Sequence, residues 1–127
     1  MSKGGKAVSS KKILVVDDQF GIRVLLKELL EQDGYSIYQA ANGPGALQIV
    51  QDERPDLIIL DVKIPGMDGL EILRHIRDID PAVKVIMMTA YGELDLVREA
   101  DELGVVAHFT KPFDIEVLRQ VIRDQLS

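Results

Sequence analysis

Five times along this chain a short apolar run gives way to a stretch whose apolar residues recur at helical spacing. That alternation limits the fold more than any other feature. The runs are KILVV (12–16), YSIYQA (35–40), DLIILD (56–61), AVKVIMMTA (82–90) and VVAHFT (105–110). After the first comes GIRVLLKELLEQDG (21–34), where Ile22, Leu25, Leu26, Leu29 and Leu30 form one stripe and Gly34 is a stop signal. GPGALQIVQDERP (43–55) reads as a helix begun by Pro44 and ended before Pro55. GLEILRHIRDID (69–80) is amphipathic and closes at Pro81, and ELDLVREADELG (93–104) closes at Gly104. DIEVLRQVIRDQL (114–126) starts at Asp114, a suitable N-cap. Strands that alternate with helices imply an α/β fold, a five-stranded parallel sheet with helices on both faces. A length of 127 residues fits one domain with a sizeable core. Residues 11–127 are assigned to that domain, and 1–10 to a disordered N-terminal tail.

Composition excludes several classes of function. The net charge is −6, which argues against nucleic acid as a partner. The chain has no cysteine, so disulfides and thiolate metal sites are ruled out; a cytoplasmic location is expected. No apolar run approaches the ~20 residues that cross a bilayer, so no membrane partner is expected.

In an open parallel sheet, ligands bind beyond the carboxyl ends of the strands. Here those ends carry Asp17-Asp18, Asp61, Thr89 and Thr110-Lys111-Pro112. Each has an ordinary reading. The acidic pair could cap the next helix, Asp61 could be a turn residue before Pro65-Gly66, Thr89 could be structural, and Lys111 a solvated charge. Together they suggest chemistry. Clustered carboxylates repel one another, and a hard divalent ion relieves the repulsion. Oxygen ligands without His or Cys favour Mg²⁺, with Mn²⁺ or Ca²⁺ as substitutes. A carboxylate beside such an ion can attack phosphorus to form an acyl phosphate. Lys111 and Thr89 would supply charge and a hydrogen bond to the phosphoryl oxygens.

This constellation resembles the receiver domain of two-component response regulators. The segments ILVVDDQFGIR, DVKIPGMDG, MTAYGELD and HFTKPFD are most similar to the stand-alone sporulation phosphorelay regulators of spore-forming bacilli. The resemblance implies a flavodoxin-like (βα)5 receiver fold. It implies that Asp61 is the phosphoacceptor, assisted by Thr89 and Lys111. Asp18 and Asp61 would bind Mg²⁺ directly, Asp17 through water, and Lys63 through its backbone carbonyl. The Lys111–Pro112 bond would be cis. The phosphoryl group would come from a sensor histidine kinase and pass to a helical-bundle histidine phosphotransferase, with aspartyl-phosphate phosphatases as further partners and the chain a monomer. The docking surface would comprise Gln19, Phe20, Gly21, Ile22, Leu25, Lys63, Tyr91, Pro112 and Phe113. Such a protein is a phosphoryl carrier that catalyses its own phosphorylation and its slow dephosphorylation.

One position departs from the family pattern. Receivers commonly carry Tyr or Phe two residues before the pair that is Thr110-Lys111 here, as a switch coupled to the threonine. This chain has His108. A relay protein needs less conformational readout than a transcription factor, so the departure favours a relay over a chemotaxis-type binding module. An aspartyl-phosphate hydrolase would carry Asp-x-Asp after the first strand, where this chain has adjacent acids. No glycine-rich nucleotide loop follows any strand.

Lys63 and Tyr91 each lie two residues beyond a site residue, Asp61 and Thr89, and are expected to flank the path of an attacking water. Large side chains there should slow hydrolysis. The half-life of the phosphorylated protein is expected to shorten in Lys63→Ala and Tyr91→Ala; unchanged decay would leave both as rim residues only.

Overall fold

A computed structural model describes residues 10–64, 66–89 and 94–127. The expected tail, apart from Ser10, and Tyr91 lie outside the described residues. Five strands alternate with five helices: β1 (Lys12–Val16), α1 (Phe20–Gln32), β2 (Ser36–Ala40), α2 (Gly43–Glu53), β3 (Leu57–Asp61), α3 (Gly69–Ile79), β4 (Lys84–Thr89), α4 (Leu94–Glu102), β5 (Ala107–Thr110) and α5 (Ile115–Leu126). All pairings are parallel and the sheet order is β2-β1-β3-β4-β5. The expected five-stranded parallel architecture is therefore borne out. Order reverses at β1, with β2 on one side and β3 on the other, the kind of switch point where α/β sheets bind ligands.

The two faces of the sheet follow the period of two in the strands. Ile13 and Val15 of β1, Leu57 and Ile59 of β3, and Ile86 and Met88 of β4 pack under Leu26 and Leu30 of α1 and Leu118 and Ile122 of α5. Their neighbours Leu14, Val16, Ile58, Leu60, Val85 and Met87 pack against Ala46 and Val50 of α2, Leu70, Ile72, Leu73 and Ile76 of α3, and Ala100 of α4. Every residue of β3 is buried, which explains its unbroken apolar run. Burial of each Leu or Ile side chain contributes roughly 1.5–3 kcal/mol.

Helix ends largely match their sequence signals. Asp114 Oδ1 accepts from the backbone N–H groups of Glu116 and Val117, and so caps α5 as expected. Asn42 caps α2 through the Gly45 N–H at 2.8 Å, and Asp68 caps α3 through Leu70 N–H at 3.0 Å. Neither cap was anticipated. The acidic pair is not the N-cap of α1: that residue is Gln19, whose own side chain makes no capping hydrogen bond. Gly69 is needed for close approach, since a Cβ would lie 2.4 Å from Val62 Cα.

Two arginines tie the periphery. At the end of the sheet away from the acids, the Arg77 guanidinium donates to the carbonyls of Leu103 (2.7 Å), Val83 (2.6 Å) and Gly104 (3.2 Å), which joins α3 to the chain after α4. Arg119 of α5 forks onto both carboxylate oxygens of Asp33 at the end of α1, at 2.9 and 2.5 Å. That hydrogen bonding holds the Asp33 carboxyl below the usual carboxylate range, against a smaller opposing effect of burial. A carboxyl depressed in the folded state stabilises the fold above its unfolded pKa, and this stability is lost as pH falls through the folded value. Arg119→Met should therefore lower the thermal midpoint at pH 7, with the difference from wild type shrinking below about pH 3. Thermal melts at the two pH values check this.

Candidate functional site

Register decides what meets at the carboxyl edge. Val16 of β1 pairs with Leu60 of β3, so Asp17 and Asp61 follow side by side. Thr89 of β4 pairs with Thr110 of β5, which delivers Lys111 to the same edge; its N–H donates to the Thr89 carbonyl at 2.9 Å. Residues far apart in sequence are thus brought together by parallel pairing alone.

The Lys111 ammonium lies 2.8 Å from Asp17 Oδ2, 2.9 Å from Asp61 Oδ2 and 3.0 Å from Gln19 Oε1. Each carboxylate gives one oxygen to the ammonium and the other to a backbone donor: Asp17 Oδ1 accepts from Gln19 N–H and Asp61 Oδ1 from Lys63 N–H, both at 2.9 Å. Arg23 Nη1 donates to the Asp17 carbonyl at 2.7 Å and fixes the β1–α1 turn. Asp17 and Asp61 are 2% and 5% exposed, whereas Asp18 is exposed. Burial pushes the Asp61 carboxyl up; the Lys111 and Lys63 hydrogen bonds oppose that, and the Asp17 charge adds to it. Burial alone would lower the Lys111 ammonium, but its bonds to Asp17 and Asp61 outweigh burial and raise it. The ammonium therefore stays charged at neutral pH.

One carboxylate oxygen from each of Asp17, Asp18 and Asp61 lies within 4.8 Å of the others. Three hard oxygens so grouped fit a small divalent cation of the Mg²⁺ type. Thr89 is 4% exposed, and its hydroxyl donates to the Phe109 carbonyl across a long 3.4 Å. The Lys111–Pro112 bond is cis, as the resemblance implied. His108 stands apart from the acid cluster. It is exposed on β5, with Nε2 2.7 Å from Asp101 Oδ1 of α4, so a hydrogen-bonded imidazole occupies the position where receivers commonly carry an aromatic switch.

Beside the acids a groove of about 430 Å³ is lined by Gln19, Ile22, Leu25, Lys111, Pro112, Phe113 and Ile115. Five of those seven are apolar, and Gln19 and Lys111 add methylene stems. Leu25 is 44% exposed, so this member of the α1 stripe belongs to the groove rather than the core. Phe20 is 71% exposed, with the Arg23 guanidinium 5.7 Å from its ring centre. Lys63 is exposed on the rim. The sequence reading missed the contact of Gln19 with Lys111 and assigned Gln19 only to the docking surface. An amide directly after an acidic pair was the available signal.

Comparison with known proteins agrees with this geometry. The profile of the family described as response regulator receiver domain matches residues 13–123. The chain is 56% identical to sporulation initiation phosphotransferase F of Bacillus subtilis, over 92% of this chain and 94% of that protein. It is 32% identical to chemotaxis protein CheY of the same organism, over 91% and 98% of the two chains. Among solved structures, a CheY-like receiver domain from Methanospirillum hungatei superposes with a TM-score of 0.89 at 33% identity, covering 93% of this chain and 94% of that one. This chain belongs to the response regulator receiver domain family, and within it the resemblance to sporulation phosphorelay regulators is borne out.

Because the ammonium and a divalent cation would draw on the same carboxylates, Asp17 and Asp61, Lys111→Met should bind Mg²⁺ more tightly, by about tenfold for one nearby charge removed. Calorimetric titration of the two proteins measures the difference.

Proposed function

We propose that this receiver is a phosphoryl carrier of a sporulation-type phosphorelay, taking the group from a sensor-kinase phosphohistidine onto Asp61 and passing it to a histidine phosphotransferase. The observation that carries the reading is the Lys111 ammonium held between the buried carboxylates of Asp17 and Asp61, at 2.8 and 2.9 Å. An isolated capping or turn aspartate has no use for such a partner. A nucleophile that must accept a dianionic group does, because the cation balances charge that develops during transfer.

In the forward step an Asp61 carboxylate oxygen forms a bond to phosphorus as the phosphorus–nitrogen bond of the donor histidine breaks. The electron pair of that bond returns to the imidazole. Lys111 exchanges a carboxylate contact for a phosphoryl oxygen, and the Thr89 hydroxyl gives up its long bond to Phe109 for another. Passing the group onward is the same displacement in reverse, with the recipient's imidazole nitrogen attacking and the Asp61 carboxylate leaving. Asp17, Asp18, Asp61 and the Lys63 carbonyl would hold Mg²⁺, which supplies charge neutralisation at the phosphoryl oxygens; Mn²⁺ or Ca²⁺ would fit the same oxygens.

A histidine can reach Asp61 only if its protein covers the edge of the sheet. The groove, Phe20, Gly21 and Lys63 would supply that surface, for a kinase, a helical-bundle phosphotransferase or an aspartyl-phosphate phosphatase, with Tyr91 assigned to it from the sequence alone. Cytoplasmic location and action as a monomer belong to the same reading. Among the described residues no helix is long and apolar enough to cross a membrane.

Incubation with Mg²⁺ and acetyl phosphate should add one phosphoryl group to wild type and none to Asp61→Asn, read by intact mass. Omitting Mg²⁺ should abolish the adduct. A folded, Mg²⁺-binding wild type that forms no adduct would reduce the cluster to a metal site.

A further inference from the structure

We infer that Gln19 is a positioning residue for Lys111, and that through it the state of the apolar groove reaches the reacting carboxylate. The inference rests on Asp61 as the phosphoryl acceptor. A lysine ammonium has three protons to donate. Among the described residues, the acceptors within hydrogen-bond range of Lys111 are three: Asp17, Asp61 and the Gln19 amide oxygen.

These acceptors are not equivalent. The two carboxylates are the oxygens that a divalent cation and a phosphoryl group both compete for. When either arrives, Lys111 loses contacts just when its charge has to be in place. The Gln19 amide oxygen is neutral and lies outside the acid cluster, so it keeps its hold through that exchange. Its base is fixed as well. Gln19 N–H is bonded to Asp17 Oδ1 at 2.9 Å, and the Gln19 carbonyl accepts from Arg23 N–H at 3.2 Å as the first bond of α1. Only the side chain has freedom, and that side chain forms the groove wall together with Ile22, Leu25 and Pro112. A partner seated in the groove therefore presses on the residue that orients the ammonium. Were Gln19 merely a docking contact, its removal would weaken partner binding and leave Lys111 undisturbed.

The test uses the full chain labelled with ¹⁵N. In wild type the Lys111 ammonium should give a slowly exchanging ¹H–¹⁵N signal at low temperature, assigned by its loss in Lys111→Arg. In Gln19→Leu that signal should exchange several-fold faster while the backbone amide spectrum stays that of the folded protein. Acetyl phosphate is too small to use the groove. With it, the saturating phosphorylation rate of Gln19→Leu should fall about tenfold, the worth of one hydrogen bond to a charged group, with the half-saturating concentration unchanged. Gln19→Glu, which keeps the acceptor oxygen, should restore the slow signal. The inference is overturned if Gln19→Leu leaves both the Lys111 signal and the acetyl phosphate rate unchanged and impairs only transfer from a phosphohistidine protein. Absence of any adduct on wild type, with the Lys111 signal still dependent on Gln19, would support the positioning role and overturn the carrier reading instead.

Discussion

Asp17 and Asp61 follow paired residues of adjacent parallel strands, so their carboxylates cannot be separated without breaking the β1–β3 register. That register is fixed in turn by two packed faces, because a one-residue slip would turn Ile13, Val15, Leu57 and Ile59 to the wrong side. Two buried acids are therefore forced together, and their repulsion has to be met by something positive. Lys111 meets it from the end of β5, two strands from β3. The ion pairs, the loop after β5 and the strand order are parts of one solution.

Such a site costs the fold stability and gains reactivity. Burial raises the Asp61 carboxyl, so its ionised form is less stable folded than unfolded and is held by the Lys111 and Lys63 donors. A carboxylate so placed readily exchanges one cationic partner for another. Compensation is supplied elsewhere, by a core packed on both faces of the sheet and by arginines that clasp its edges.

Most of the architecture was legible because its signals are local. Alternating periodicity revealed ten elements, Asp114 announced its cap, and Gly34 and Gly104 adopt the positive φ expected of stop signals. The acid cluster was legible because parallel sheets place strand ends together. What escaped depended on distance or on direction. The Asn42 and Asp68 caps lie at helix starts where Pro44 and Gly69 drew the eye. The Arg119–Asp33 pair joins residues 86 apart, and no periodicity reports such a contact. Leu25 carries the spacing of a core residue, and periodicity alone did not separate it from the core; the resemblance placed it on the docking surface, and it does face the groove, since a stripe of five apolar residues is wider than the face α1 presents to the sheet. His108 was recognised as a departure, but only three dimensions supply Asp101 as its partner.

The groove has a consequence for how this protein can evolve. Its wall includes Lys111, the residue whose charge balances the buried carboxylates of Asp17 and Asp61. In the proposed function partners dock on that wall, so selection for a new partner would act on its fit, and a changed wall would alter the water and charge around the ammonium. On that reading partner choice and transfer rate would not be separately adjustable traits. A lineage that rewired which proteins dock here would inherit a new clock for its signal, and drift toward faster chemistry would redraw its wiring.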